Sequence, residues 1–228
     1  MNRHYTSILV KIAGGVAFVK LNNPTKFSAV SLDSKRELAD FFKRAATDPR
    51  IKVVLITGKD NVFYVGSDLL VRERAAISGG GNKAYSAKRE RVDLIKIIND
   101  FEKPVIAAVN GFAIGAGIEL VKASDLVLAS DKAQFCDISG NDNSPLTDRD
   151  PMFDMGGTRV RYKRIISRNL DATQAIRAGL VNIVTPHEDL MKEAERLANS
   201  VAKGNTFILD HKRRVNDKYA MSATRPAS

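Results

Sequence analysis

At 228 residues the chain is long enough for one large domain with its own core, and 44% apolar with 27% charged residues is an ordinary globular balance. No apolar run approaches the roughly 20 residues that span a bilayer. The single cysteine, Cys136, excludes an intrachain disulfide, and the scattered His4, His187 and His211 offer no metal-ligand spacing.

The formal net charge is +10. Basic residues cluster at Lys88–Arg91, Arg159–Arg164 and His211–Arg214. Each cluster alone reads as a solvated helix face. Together they suit attraction for phosphate groups, with RNA contact ranked lower because interleaved aromatics are sparse. The N-terminal residues lack the apolar core of a signal peptide, since Lys11 and Gly14-Gly15 interrupt them. With one cysteine, that sets the expectation of a cytoplasmic protein with no membrane partner.

In chain order, Ser7–Ile12 and Val16–Leu21 flank Gly14-Gly15 and predict a hairpin. Leu38, Phe41, Phe42 and Ala45 recur at i, i+3, i+4, i+7, which predicts an amphipathic helix over Ser31–Ala46. Val53–Thr57 is a short apolar run and predicts a buried strand. Ser78–Asn82 reads as a glycine-rich loop, and Val92–Ile98 as helix. Val105–Val109 is wholly apolar and predicts a strand covered on both faces; Asn110-Gly111 then turns the chain. Gly115-Ala116-Gly117 follows as a bend into a helix that carries Glu119. Leu126–Ala129 is strand again. Ser139–Asp150 is polar and rich in breakers. Leu190, Ala194, Leu197, Ala198 and Val201 predict a late helix. Strand alternating with helix implies an α/β fold with a mainly parallel sheet and right-handed crossovers.

The glycine segment is the most informative. Bare backbone N–H groups at a helix start favour negative charge, and a carboxylate stands beside them. That pairing suits a carbonyl compound and the movement of its α-proton. A dinucleotide fingerprint does not fit, because Leu120 holds the third glycine position, and the Gly-Lys-Ser/Thr of a P-loop is absent.

The stretch Lys103–Leu120 resembles the signature of the crotonase superfamily, the enoyl-CoA hydratase/isomerase family. Phe63–Leu69 is similar to that family's F-x-A-G-x-D-L turn, and Ala123–Ala129 to its A-C-D-L-V-I-A strand. Asp154–Thr158 resembles its x-x-G-G-T turn, and Ala175–Val184 its A-x-x-x-G-L-V-N-x-V segment. The matches keep chain order from about Asn22 to about Ala202.

The resemblance implies a spiral of repeated β-β-α units with C-terminal helices, here shortened. It implies a core domain over 1–200 with a short helical segment and loose tail over 201–228. It also implies a trimer or pair of trimers. The substrate would be an acyl-CoA thioester, with coenzyme A part of that substrate and no separate cofactor or metal.

By motif match, the backbone N–H groups of Val65 and Ala116 form the oxyanion hole, with Val65 where the family prefers Ala or Ser. Glu119 falls on the first catalytic glutamate. Ungapped matching puts Ser139 at the second, with Asp137 two residues earlier. Ser139 cannot act as a carboxylate, and Asp154 is the candidate replacement; it reads equally as a cap or turn residue. Lys26, Ser28 and Ala29 match a turn near the adenine and pantetheine. Gly66, Asp68, Leu69 and Gly115 match substrate-lining positions. The expected activity is isomerisation or hydration of an enoyl-CoA through a thioester enolate. The alternatives are thioester hydrolysis, carbon–carbon cleavage, or a non-catalytic RNA-binding member.

Overall fold

A computed structural model of the chain describes residues 5–22, 32–65, 93–136 and 169–204. Strand β1 (Ile8–Ala13) turns at Gly14-Gly15 into β2 (Val16–Leu21), antiparallel to it, with Ile8 opposite Leu21 and Ala13 opposite Val16. Helix α1 (Leu32–Thr47) follows, then β3 (Val53–Thr57) and β4 (Val62–Val65). Beyond it come α2 (Leu94–Asn99), β5 (Val105–Val109), β6 (Phe112–Ile114) and α3 (Ala116–Lys122). Next are β7 (Leu126–Ser130), β8 (Gln134–Cys136) and β9 (Asn169–Asp171). The last described elements are α4 (Ala172–Arg177), β10 (Ile183–Thr185), a 3-10 turn (His187–Asp189) and α5 (Leu190–Ala202).

Two sheets share these strands. The larger has the order β1-β2-β3-β5-β7-β10, parallel from β2 onward. The smaller has the order β4-β6-β8-β9, with β4, β6 and β8 parallel and β9 antiparallel. The chain therefore steps from the larger sheet to the smaller three times, at β3–β4, β5–β6 and β7–β8. That stepping is the spiral the resemblance implied.

The wholly apolar strands are buried on both faces. Val53, Leu55, Ile106, Ala108 and Leu128 pack with Leu190, Ala194 and Ala198 of α5. Val54, Ile56, Val105, Ala107 and Val109 join Leu38, Phe41, Phe42 and Ala45 of α1 on the other side. Phe42 meets Phe41 and Phe101 edge-on, at centroid distances of 5.4 and 5.0 Å. Each such phenyl group stabilises the core by about 1.5–3 kcal/mol through burial.

Polar side chains tie the layers together. Glu37 of α1 accepts from Thr6 N, Thr6 Oγ1, Ser7 N and Ile8 N, which fastens the start of β1. Lys103 Nζ donates to the carbonyls of Ala45 and Asp48 at the end of α1. Asp125 Oδ2 accepts from Val105 N, and Asn182 Oδ1 accepts from Val127 N. These last two residues belong to the family-like motifs, and here they set strand starts.

One local reading is corrected. The stretch 105–120 is not strand, turn and helix alone, because β6 intervenes and pairs with β4 and β8. The periodicity of the residues alone did not reveal the smaller sheet, although the implied β-β-α repeat provides for it. Helix α5 runs unbroken from Leu190 to Ala202, and residues 205–228 lie outside the described residues.

Candidate active site

The site is built where the smaller sheet meets α3. Asn110, at the end of β5, is buried; its Oδ1 accepts from Gly58 N and its Nδ2 donates to Asp60 O. This fixes the chain as it leaves the larger sheet. Strand β6 then runs parallel to β4, with Tyr64 opposite Ala113 and Val65 opposite Ile114.

Gly115 ends β6 with φ +55°, in the region that favours glycine, and caps α3. Its N–H donates to Cys136 O at 3.0 Å, which ties the cap to β8. Its carbonyl accepts from Ile118 N and Glu119 N. Ala116 and Gly117 thus open the helix, where N–H groups have no intrahelical acceptor. Gly117 is glycine for a different reason. A Cβ there would stand 2.1 Å from the backbone oxygen of Tyr64, so α3 presses directly on β4.

This contact packs the start of α3 against the end of β4. Val65, buried at 9% exposure, ends β4, the edge strand of the smaller sheet. Ala116 opens α3 two residues after Ile114, which lies opposite Val65. Glu119 stands one turn further along α3, with an exposed side chain in the first turn, where the helix dipole favours negative charge. Donors aimed at one point beside a carboxylate can stabilise a developing oxyanion while a proton moves.

Motif matching assigns no role to Tyr64, which lies within the Phe63–Leu69 motif. The phenol is 3% exposed. Burial pushes its pKa well above the usual range; a hydrogen bond with the Ser34 hydroxyl opposes the rise, and the charge of Glu119 adds to it. The signal available in the sequence was a hydroxyl inside an otherwise apolar strand.

Of the remaining expected residues, Lys26, Ser28, Ala29, Gly66, Asp68, Leu69, Ser139 and Asp154 lie outside the described residues, as does Asp137. So do the three basic clusters. Among the described residues, no group of three His, Cys, Asp or Glu side chains stands together to hold a metal ion. No described helix is long and apolar enough to cross a membrane.

Comparison with known proteins agrees with this fold. A family model described as enoyl-CoA hydratase/isomerase matches residues 11–227. The chain is 31% identical to a Dictyostelium discoideum protein named "Probable enoyl-CoA hydratase, mitochondrial", over 92% of this chain and 75% of that one. It is 30% identical to the short-chain-enoyl-CoA hydratase of Clostridium acetobutylicum, over 86% of this chain and 75% of that one. Among solved structures, an enoyl-CoA hydratase/isomerase from Pseudoalteromonas atlantica T6c superposes with a TM-score of 0.74 at 25% identity. That match covers 93% of this chain and 83% of the other.

Proposed function

The chain belongs to the enoyl-CoA hydratase/isomerase family, and on that premise we propose that it moves a proton on an enoyl-CoA by way of a thioester enolate. The observation that supports this reading is the close packing of α3 on β4, where a Cβ at Gly117 would meet the Tyr64 backbone oxygen, with Glu119 in the first turn of the same helix.

In this account the thioester oxygen lies between the N–H of Ala116 and an N–H at the end of β4, assigned to Val65. Negative charge grows on that oxygen as the α-proton leaves, so fixed donors stabilise the enolate more than the bound substrate. Glu119 takes the proton and can return it to a different carbon. That sequence is isomerisation, and it needs one secure carboxylate. Its chemistry draws on no cofactor beyond the coenzyme A carried by the substrate.

Hydration is the second reading, favoured by the names of the relatives. It requires a further group to activate water. The sequence offers Ser139 where the family resemblance puts a second glutamate, with Asp154 as the candidate replacement.

Incubation with 2-enoyl-CoA and 3-enoyl-CoA, with products separated by chromatography, tests the proposal. Interconversion of the two is expected. Release of free coenzyme A would favour the hydrolytic alternative. Turnover of neither substrate, together with salt-dependent retention of RNA, would replace the proposal with the binding alternative.

A further inference from the structure

Helix α5 covers only part of one face of the larger sheet. Its Leu190, Ala194 and Ala198 pack on Val53 and Leu55 of β3, Ile106 and Ala108 of β5, and Leu128 of β7. The same face continues onto β2 and the edge strand β1. Side chains alternate along a strand, so Leu9, Lys11 and Ala13 of β1 share that face with Val16, Phe18 and Lys20 of β2. Register sets two rows across it: Lys11, Phe18 and Leu55 in one, and Leu9, Lys20 and Thr57 in the next. Between these rows and the flank of α5 lies an open groove of about 460 Å³, a volume typical of small-molecule sites. Met191, Glu195 and Asn199 recur every four residues and form its helix wall, with Asn199 at the Gly14 end.

The groove is apolar along its floor and cationic along its sheet side. Leu9 is 50% exposed, and Phe18 is half-buried against the core under α5. Lys11 and Lys20 are diagonal neighbours in the β1–β2 ladder, within reach of one another, and like charges so placed repel. Among the described residues neither makes an ion pair. Glu195 stands on the opposite wall and pairs with neither lysine. One anionic head between the two ammonium groups would relieve their repulsion. An apolar tail running from it over Phe18 toward Met191 would cover the exposed carbons of Leu9.

We propose that this groove binds a free amphiphilic carboxylate with an unbranched apolar tail, its head held by Lys11 and Lys20. A trough between a helix and a sheet edge admits a single chain, whereas the flat surface of a bilayer does not enter it. The ligand is therefore the monomer in solution. The groove lies apart from the candidate active site: Tyr64, Ala113 and Leu120 pack in the core on the other side of the larger sheet. Binding there does not depend on the activity proposed above.

Calorimetric titration of the full chain with n-dodecanoate, kept below its micelle concentration, tests this. One saturable site is expected. Replacing both lysines together, Lys11→Gln with Lys20→Gln, should raise Kd about 10-fold. Dodecyltrimethylammonium, which carries the same tail on a cationic head, should bind wild type far more weakly than dodecanoate does. Lys11→Glu with Lys20→Glu should reverse that preference. Both pairs of substitutions lie on exposed side chains, and a thermal melt of each variant checks that it folds. Absence of saturable binding, or a dodecanoate Kd equal in wild type and the glutamine variant, would overturn the proposal. Equal affinity for the two heads would reduce the groove to an apolar surface and overturn it as well. Co-sedimentation with phosphatidylglycerol vesicles without binding of the monomer would replace it with a membrane contact. A dimer in sedimentation velocity that Lys11→Glu with Lys20→Glu dissolves, and dodecanoate does not, would assign the groove to a second copy of the chain instead.

Discussion

Glu119 sits on a seven-residue helix with its side chain exposed, and glutamine keeps its size. Glu119→Gln should therefore fold and bind coenzyme A while turnover falls by about 10²–10⁴. Steady-state kinetics beside a thermal melt checks this, and near wild-type turnover would remove Glu119 from the mechanism. Gly117→Val should damage both activity and stability, since even a Cβ would strike the Tyr64 backbone. Unchanged kinetics and melting in that variant would contradict the contact. Ser139→Glu, at the position matching the second glutamate, is expected to raise hydration of 2-enoyl-CoA relative to isomerisation; efficient hydration by the unaltered protein would show that another acid already fills that role. At this scale the sequence revealed Glu119 and the glycines, because a motif fixes residue types. It did not separate the two glycines, which differ in cause: Gly115 is set by backbone angle and Gly117 by the approach of a strand 53 residues away in sequence.

The elements that were legible are those long enough to show a period. The 16 residues of α1 and 13 of α5 display full apolar stripes. The five-residue strand β5 is apolar throughout, and β3 is apolar up to Thr57, because both faces are covered. Strands β6, β8 and β9 have three residues each, too few for an alternation to appear. They exist because of their neighbours, so the smaller sheet that carries the site could not be read locally. Helix α4 did have a signal that was passed over. Asp171 and Gln174 form a reciprocal capping box, in which Asp171 Oδ1 accepts from Gln174 N at 2.7 Å. The clasp of Glu37 onto β1 gives an element-scale prediction. Glu37→Ala leaves the donors of Thr6, Ser7 and Ile8 unpaired, and should lower stability by about 1–3 kcal/mol. A urea midpoint that falls with the slope unchanged would agree; an unmoved midpoint would mean that water replaces the carboxylate without loss.

For the whole molecule, the two-sheet spiral holds three chain segments in register so that their ends converge on α3. The charge of +10 acts on a longer range. If it draws in the phosphates of coenzyme A, kcat/KM for an acyl-CoA should fall as salt rises while kcat stays constant. A salt-independent kcat/KM would return the basic clusters to the role of solvated surface. The central claim is that the backbone around Ala116 stabilises a thioester enolate that Glu119 forms by removing a proton. Exchange of substrate carbon-bound hydrogen in heavy water reads that step directly, whichever product follows. Wild type is predicted to wash deuterium into the α- or γ-carbon of an enoyl-CoA, and Glu119→Gln to abolish the exchange while still binding the thioester. Absence of exchange in wild type with bound substrate, or equal exchange in both proteins, would contradict the account.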